Sequence, residues 1–184
     1  MRVVVASALL SLTAAAAAPE SRKDTWVQFN SPGFGFSAEF PHSPKERPVD
    51  QTVETTSGSG IFKRTQFWAS SGLITYAVEA GSPPPGYVPS GRESDFLLGL
   101  QRAMVGSHPV HSWRETRFQG RAAIEFTYYH GDGDKARASH IVTFFVNTRV
   151  FMLIVTAPRG PAARPETQRF LSSFKATTFK PTTF

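Results

Sequence analysis

The sequence predicts an α+β fold in which helices pack on an antiparallel β-sheet of about six to eight strands. Three observations support this fold class. Several short segments alternate large apolar and polar residues, which is the pattern of half-buried strands. Two segments repeat apolar residues every three or four positions, as amphipathic helices do. Glycine and proline, with 14 of each, separate these segments as turns and loops.

The first 18 residues have the features of a signal peptide. Arg2 supplies a positive start, and the apolar run from Val3 to Leu12 is too short to span a membrane. Ala14 to Ala18 offer small residues for cleavage. We therefore expect an exported protein, periplasmic or extracellular; an uncleaved anchor is the alternative. The expected organisation is a signal peptide at 1–18, a mobile lead-in at 19–25, a single α+β domain at 26–179 and a tail at 180–184.

Composition excludes several classes of protein. The chain has no cysteine, so it contains neither disulfides nor thiolate chemistry. Its net charge is +6, but the basic residues are scattered and no run of four occurs, which argues against a nucleic-acid groove. No later segment is long and apolar enough to cross a membrane, so we expect no membrane span after signal removal.

The stretch that contains Gly33 and Gly35 is predicted to be a turn and a strand. A dinucleotide-binding loop needs a third glycine followed by a helix, but Ala38 stands at that position and Pro41 follows closely. Apolar residues occupy alternate positions from Phe34 to Phe40, which favours a half-buried strand. The same pattern indicates no phosphate site here.

The most apolar hairpin is predicted to be the centre of the molecule. Its two strands, at residues 141–146 and 150–155, are apolar at almost every position, which is typical of strands buried on both faces. Helices must then cover the second face. Further hairpins are expected from residues 60–70 with 73–80, and from 110–119 with 121–130, and residues 41–60 are expected to form a long loop with one extended piece.

One helix is predicted in the middle of the chain. Ser90 and Glu93 have the spacing of a capping box, and Gly106 closes the segment. Its apolar stripe consists of Phe96, Leu97, Leu100, Ala103 and Met104. A terminal helix begins near Pro165, and Thr167, Phe170, Leu171 and Phe174 recur at the spacing of one helix face. A short strand is expected at residues 176–179.

The histidines do not predict a metal site. His108 and His111 are three residues apart, but Pro109 lies between them, and no cysteine is available as a further ligand. His130 and His140 lie in or beside predicted strands of one hairpin, which would allow them to approach each other. We interpret all of them as ordinary surface or strand histidines.

The acidic residues also lack a catalytic or metal-binding pattern. Asp132 and Asp134 suggest a calcium loop, but Thr143 occupies the position of its last ligand, so a hairpin turn is favoured. Strand carboxylates alternate with apolar neighbours and are interpreted as solvated: Glu39, Glu79 and Glu125. The "SGSG" stretch lacks the context of a serine nucleophile. We therefore predict no enzyme, no metal and no cofactor, with an unrecognised hydrolase as a minor alternative.

Several stretches together resemble the PsbP-like group of exported bacterial domains. They are "WVQFNSPGFGFSAEFPHSP", "FLLGLQRAM", "TRFQGRAAIEF", "RVFMLIVTAP" and "RFLSSF", and the resemblance covers roughly residues 26–179. It implies an α/β/α sandwich around an antiparallel sheet. Known members of the group are binding or assembly accessories rather than enzymes, and the group offers no common site residues to transfer.

These observations predict a non-catalytic exported accessory domain that binds a partner protein or a cell-envelope component through a loop or sheet face. The chain has more tryptophan and tyrosine than a core needs, and such residues are enriched in binding surfaces, but we favour core packing and cover of a sheet edge, because aromatic residues are common in strands. These residues are Trp68, Tyr87, Trp113, Tyr128 and Tyr129. The alternative is a carrier of a small apolar ligand or lipid in a cavity between helix and sheet. The residues that would line this cavity are Phe96, Leu100, Met104 and Tyr128.

Overall fold

The computed structural model describes residues 25–55, 58–88, 91–159 and 165–177. The predicted signal peptide, almost all of the lead-in, the tail and Ser90 lie outside these residues. The described strands are β1 (Val27–Ser31), β2 (Phe36–Phe40), β3 (Lys45–Pro48), β4 (Gln51–Thr55), β5 (Gly58–Ser71), β6 (Ile74–Ser82), β7 (Val110–Phe118), β8 (Arg121–His130), β9 (Arg137–Val146), β10 (Arg149–Pro158) and β11 (Lys175–Ala176). The helices are α1 (Glu93–Val105) and α2 (Pro165–Ser173), with a 3₁₀ turn at Gly133–Lys135.

Eight strands form the main sheet, and the predicted α+β fold class is confirmed. The strand order is β3-β5-β6-β10-β9-β8-β7, and β4 also pairs with β5. All of these pairings are antiparallel. The β9–β10 hairpin occupies the middle of the order, and its side chains are buried on both faces, as its continuously apolar sequence predicts.

One face of the main sheet, the α2 face, is covered by α2 and by a second sheet of order β1-β2-β11. The cluster between these layers is rich in phenylalanine. Its buried aromatic members are Tyr76 and the phenylalanines Phe36, Phe40, Phe67, Phe144, Phe151, Phe170 and Phe174. Phe170 is fully buried against Phe40 and Tyr76, with ring centroids 5.4 Å away in both contacts. The terminal helix is therefore an integral part of the core.

The opposite face, the α1 face, is covered by α1, which packs mainly on β8 and β9. Leu97 and Leu100 are buried among side chains that alternate with those of the α2 face. The sheet members of this cluster are Phe62, Ile124, Phe126, Ile141, Val150 and Met152. The two helices thus lie on opposite faces of the sheet, which gives the expected sandwich.

The predicted capping box of α1 is wrong. The helix begins at Glu93 rather than at Gly91, and its N-cap is Arg92, which makes no side-chain capping bond. Glu93 instead accepts a hydrogen bond from the Gly91 N–H at 3.3 Å. Ala103 is exposed, so it does not belong to the buried stripe. Gly106 does end the helix, with a positive φ of 55°.

The segment expected to be mostly loop contributes two strands. β3 and β4 pair with successive parts of the long strand β5, at Thr65–Trp68 and Gly58–Phe62 respectively. Both sequences are mostly polar, and β3 also contains Pro48, so local propensity gives little sign of pairing. β5 extends beyond its neighbour β6, and this extension provides the partner for β4.

Glu79 is buried rather than solvated, contrary to the sequence interpretation. It is 5% exposed and receives Arg64 Nη1 at 2.8 Å, and Arg64 is 7% exposed. Gln66 donates to the second oxygen of Glu79 at 2.7 Å, and Gln51 accepts from Arg64 Nη2 at 3.1 Å. This set lies on the α1 face. Glu79 is therefore a paired carboxylate although its sequence neighbours are apolar, because Arg64 lies on the neighbouring strand β5.

Candidate functional site

The edge strand β7 is the most exposed long strand of the main sheet. It ends the strand order, and no strand of the described residues pairs with its outer side. All of its residues are exposed or half-buried, and seven of the nine are exposed. We call the outer side of Val110–Phe118 the β7 edge.

The turn after β7 fixes which backbone groups point outward. Gln119 and Gly120 have φ values of 50° and 80°, which is the geometry of a two-residue type I′ hairpin turn. Residues that flank such a turn exchange hydrogen bonds with each other, and bonded pairs then alternate with non-bonded pairs. The N–H and C=O groups of Trp113, Glu115 and Arg117 consequently point away from β8, toward the β7 edge.

Two apolar side chains project from this strand into solvent. Trp113 is 55% exposed and Val110 is 40% exposed. They lie opposite Phe126 and Tyr128 of β8, so they point to the α1 face. An exposed tryptophan beside unpaired backbone groups is a combination that partner proteins recognise.

A polar array lies behind the β7 edge on the α2 face. Arg114 of β7 donates to Glu125 Oε2 from Nε at 2.8 Å and from Nη2 at 2.6 Å. The other Glu125 oxygen lies 3.4 Å from His140 Nε2. His140 Nδ1 is 3.1 Å from the hydroxyl of Thr127. These four side chains, which we call the β7–β9 array, connect the edge strand to the sheet interior.

The imidazole in this array is held in its neutral form. Burial lowers the pKa of His140, Glu125 raises it, and Arg114 lowers it, with a net lowering from the ordinary value. His140 Nδ1 lies within hydrogen-bond distance of the Thr127 hydroxyl, and Nε2 faces the Glu125 carboxylate. At 3.4 Å, the contact between the neutral imidazole and Glu125 is a long polar contact rather than an ion pair.

The β7–β9 array has the order of a hydroxyl–imidazole–carboxylate chain, but it does not present a nucleophile. Thr127 is only 6% exposed, so its hydroxyl lies beneath the surface that a substrate would reach. The carboxylate is also engaged by Arg114, which weakens its support of a protonated imidazole. The arrangement is suited to fixing the position of Arg114 on the edge strand.

Burial and pairing change the interpretation of the strand carboxylates. Glu125 is half-buried and bound to Arg114, and Glu39 binds Arg169 of α2 at 2.6 Å. The sequence interpretation of solvated carboxylates is therefore replaced by three paired ones. No spacing rule could have found these partners, because each lies on a different element.

The hairpin does not bring His130 and His140 together. His130 lies opposite Arg137 and points to the α1 face, whereas His140 lies opposite Thr127 and points to the α2 face. His130 contacts the Ser139 hydroxyl at 3.0 Å, and its pKa is lowered by burial, then by His108 and Arg137. Within the described residues, no group of three or more His, Asp or Glu side chains is placed to hold a metal ion.

The connection between β8 and β9 is a turn, as predicted. Gly131 has a φ of 75°, and the 3₁₀ turn Gly133–Lys135 follows it. An open, mainly polar cleft of about 500 Å³ lies beside this turn. Its lining residues are Gly131, Asp132, Gly133, Ala136, Pro158 and Arg159.

The four residues proposed for a carrier cavity lie between α1 and the sheet, as the sequence suggests. Leu100 is buried, and the other three, Phe96, Met104 and Tyr128, are half-buried against the same cluster. Phe96 contacts the rings of Phe62, Tyr87 and Phe145, with centroids 5.5 to 5.8 Å apart. A cleft of about 160 Å³ lies nearby, but it is lined by Phe145 and by Pro83–Gly86 rather than by these four residues.

Comparisons with known proteins supply weak structural neighbours. No family model and no curated protein matches the chain. A protein of known structure from Bacteroides thetaiotaomicron VPI-5482 is similar over 81% of this chain, with 14% identity and a TM-score of 0.48; this chain spans 47% of that protein. A protein of unknown function from Pseudomonas aeruginosa is similar over 73% of this chain and 83% of its own, with 11% identity and a TM-score of 0.39. Similarity at this level carries no argument about function.

The helices give no sign of a membrane-spanning segment. Among the described residues, neither α1 nor α2 has the length and apolar character that crossing a bilayer requires.

Proposed function

We propose that this protein is a non-catalytic accessory domain, exported by its N-terminal leader, that binds a partner protein by strand addition. An extended segment of the partner would pair with the β7 edge and continue the sheet by one strand. The observation that carries this proposal is the row of outward-pointing backbone groups of β7 next to the exposed Trp113. The resemblance to PsbP-like accessory domains agrees with such a role.

In strand addition, both the backbone and the side chains of β7 would contribute to binding of the partner segment. The outward N–H and C=O groups give hydrogen bonds that any extended chain can form, and neighbouring side chains select the sequence. Trp113 offers a large, rigid apolar surface at low cost in conformational entropy, which is the usual property of an interface anchor.

The opposite edge of the sheet lacks these properties. β3 has the sequence Lys45-Glu46-Arg47-Pro48, and Pro44 precedes it. Proline removes backbone donors, and charged side chains on a short strand discourage further pairing. The two edges therefore differ in their readiness to accept another strand, and the difference points to β7.

A pair of substitutions at Glu115 tests the proposal. Both Glu115→Ala and Glu115→Pro remove the carboxylate, but only proline also removes the outward N–H, without breaking a bond to β8. Tagged wild-type and variant proteins would be used for affinity capture from the envelope fraction of the native organism, and thermal unfolding would confirm that each variant is folded. We expect wild type and Glu115→Ala to capture the same partner, and Glu115→Pro to lose it.

Two outcomes would contradict strand addition at β7. Capture of the partner by folded Glu115→Pro at the wild-type level would show that the outward N–H is not used. Failure of the wild type itself to enrich any protein above an untagged control would remove the accessory role.

A further inference from the structure

We propose that the segment accepted by the β7 edge carries a carboxylate side chain opposite Arg114. This inference rests on the proposed strand addition and adds the chemistry of the partner. Arg114 lies in the middle of β7, and its side chain is 69% exposed. An incoming strand would place one of its own side chains directly opposite Arg114, on the α2 face of the sheet.

The guanidinium of Arg114 is oriented for a second carboxylate. Its Nε and Nη2 both donate to the same oxygen of Glu125, so this side of the group faces β8. Because the guanidinium is a planar fork, Nη1 and the remaining N–H of Nη2 then point away from β8. Among the described residues, Arg114 Nη1 makes no hydrogen bond. These donors face the position of the incoming side chain.

The groups around Arg114 keep it in this orientation. Glu125 is held from behind by His140, and His140 by the buried Thr127 hydroxyl. Glu125 compensates the charge of Arg114 but occupies only one edge of its guanidinium, and the second oxygen of Glu125 is turned toward His140. An incoming carboxylate would thus meet an arginine that is already positioned and has unused donors, which favours charge-assisted pairing.

A second copy of this chain fits the edge less well. Antiparallel pairing of two β7 strands about Thr116 would put Glu115 opposite the second copy's Arg117, which is favourable. The same register would put the second copy's Phe118 opposite Arg114 and leave Nη1 without an acceptor. An acidic segment from another protein satisfies Arg114, so we prefer it, and self-association becomes an outcome of the test.

Disulfide tethering provides a direct test because the chain has no cysteine of its own. Thr116→Cys places one thiol on the α2 face of β7, two residues from Arg114. Short extended peptides with one cysteine would carry Glu, Gln or Lys two residues after that cysteine, where antiparallel pairing sets the variable residue opposite Arg114. The fraction of protein in mixed disulfide, at a fixed thiol–disulfide ratio, would be measured by intact mass spectrometry.

Three matched controls accompany these peptides. Ser172→Cys puts the thiol on α2 between Arg169 and Lys175, in a basic but non-edge environment. A sequence isomer with Glu two residues before the cysteine would lie opposite Phe118 instead of Arg114. Arg114→Gln in the Thr116→Cys protein removes the charge that the inference requires, and size-exclusion chromatography of the wild type reports any dimer.

We expect the Glu peptide to tether to Thr116→Cys about two- to fivefold more than the Gln peptide, the range of an exposed ion pair, with Lys lowest. The preference should vanish with the isomer, with Arg114→Gln and at Ser172→Cys. Equal tethering of Glu and Gln peptides, both above the Ser172→Cys level, would overturn the carboxylate preference and leave strand addition standing. Tethering no greater than at Ser172→Cys, or a stable wild-type dimer through β7, would overturn both.

Discussion

Two Arg–Glu pairs join neighbouring strands of the same sheet, but their surroundings differ. Arg64–Glu79 bridges β5 and β6 at 2.8 Å and is almost completely buried. Arg114–Glu125 bridges β7 and β8 at 2.6 Å, and the arginine is largely exposed. We call Arg64–Glu79 the closed pair and Arg114–Glu125 the open pair. The closed pair is surrounded by Gln51, Gln66 and Met152, whereas the open pair has His140 and Thr127 behind it and solvent in front.

Burial decides what each pair can do. Both ions of the closed pair lost their hydration when the protein folded, so their contacts must replace it, and separation of the two would be costly. The open pair keeps one side in water and contributes little to stability. Its arginine can therefore be used in binding without endangering the fold. The difference separates a structural ion pair from one that is available to a partner.

The largest effect is expected from breaking the closed pair. Glu79→Ala should lower the free energy of unfolding by about 3–5 kcal/mol, because it leaves Arg64 buried without a counter-charge. Urea denaturation of the variant would measure this loss. The double substitution Arg64→Met with Glu79→Leu should recover most of it, since it removes both charges. A loss below about 1 kcal/mol for Glu79→Ala would show that Arg64 and Glu79 are not shielded from water in the folded protein.

A comparable loss of unfolding free energy is expected for a substitution in α2, which covers the core on the α2 face. Phe170→Ala should cost about 3–5 kcal/mol, since it removes a fully buried ring that touches Phe40 and Tyr76. Leu171→Ala, at a half-buried position of the same helix, should cost clearly less. Chemical denaturation of both variants measures the difference. Equal, small losses of unfolding free energy in the two variants would mean that α2 does not anchor the core on the α2 face.

The parts that sequence predicts well are those with strong local patterns. The β9–β10 hairpin and α2 follow from continuous apolarity and from the period of Phe170 and Phe174, and both occupy the expected places. The identity of the edge strand does not follow from such patterns. β7 is more polar than the β9–β10 hairpin, but an inner strand with one solvated face is also partly polar, and only the order of pairing shows that the outer side of β7 has no neighbour among the described residues.

The two ion pairs could not be predicted from the sequence for a similar reason. Glu79 and Glu125 both alternate with apolar residues, so the local pattern treats them alike. Their partners lie 15 and 11 residues away in the chain, on neighbouring strands, and come opposite only when register is fixed. The prediction of a capping box at Ser90 was wrong for the opposite reason. The residue types of the local pattern were suitable, but α1 begins at Glu93, later than the pattern requires.

Breaking the open pair should have a small effect on stability. Arg114→Ala is expected to change the free energy of unfolding by less than about 1 kcal/mol, because an exposed pair is weak and Glu125 keeps its contact with His140. Urea denaturation beside Arg64→Ala makes the comparison direct. If Arg114→Ala were as destabilising as Arg64→Ala, the open pair would be structural and its proposed use in binding would lose its basis.

The smallest effect is expected from protonation behind the open pair. The folded state lowers the pKa of His140, chiefly by burial, so the unfolded chain takes up a proton first as the pH falls below the ordinary histidine value of about 6.5. Stability should therefore be constant above that value and decline as the pH falls through the lowered pKa.

His140→Asn should reduce the slope of unfolding free energy against pH between pH 7 and pH 5, measured by urea denaturation. His130 also has a lowered pKa, so part of the slope should persist in this variant and decrease further when His130→Asn is added. An unchanged slope in His140→Asn would mean that the imidazole behind the open pair is solvated and that its pKa is not lowered by burial.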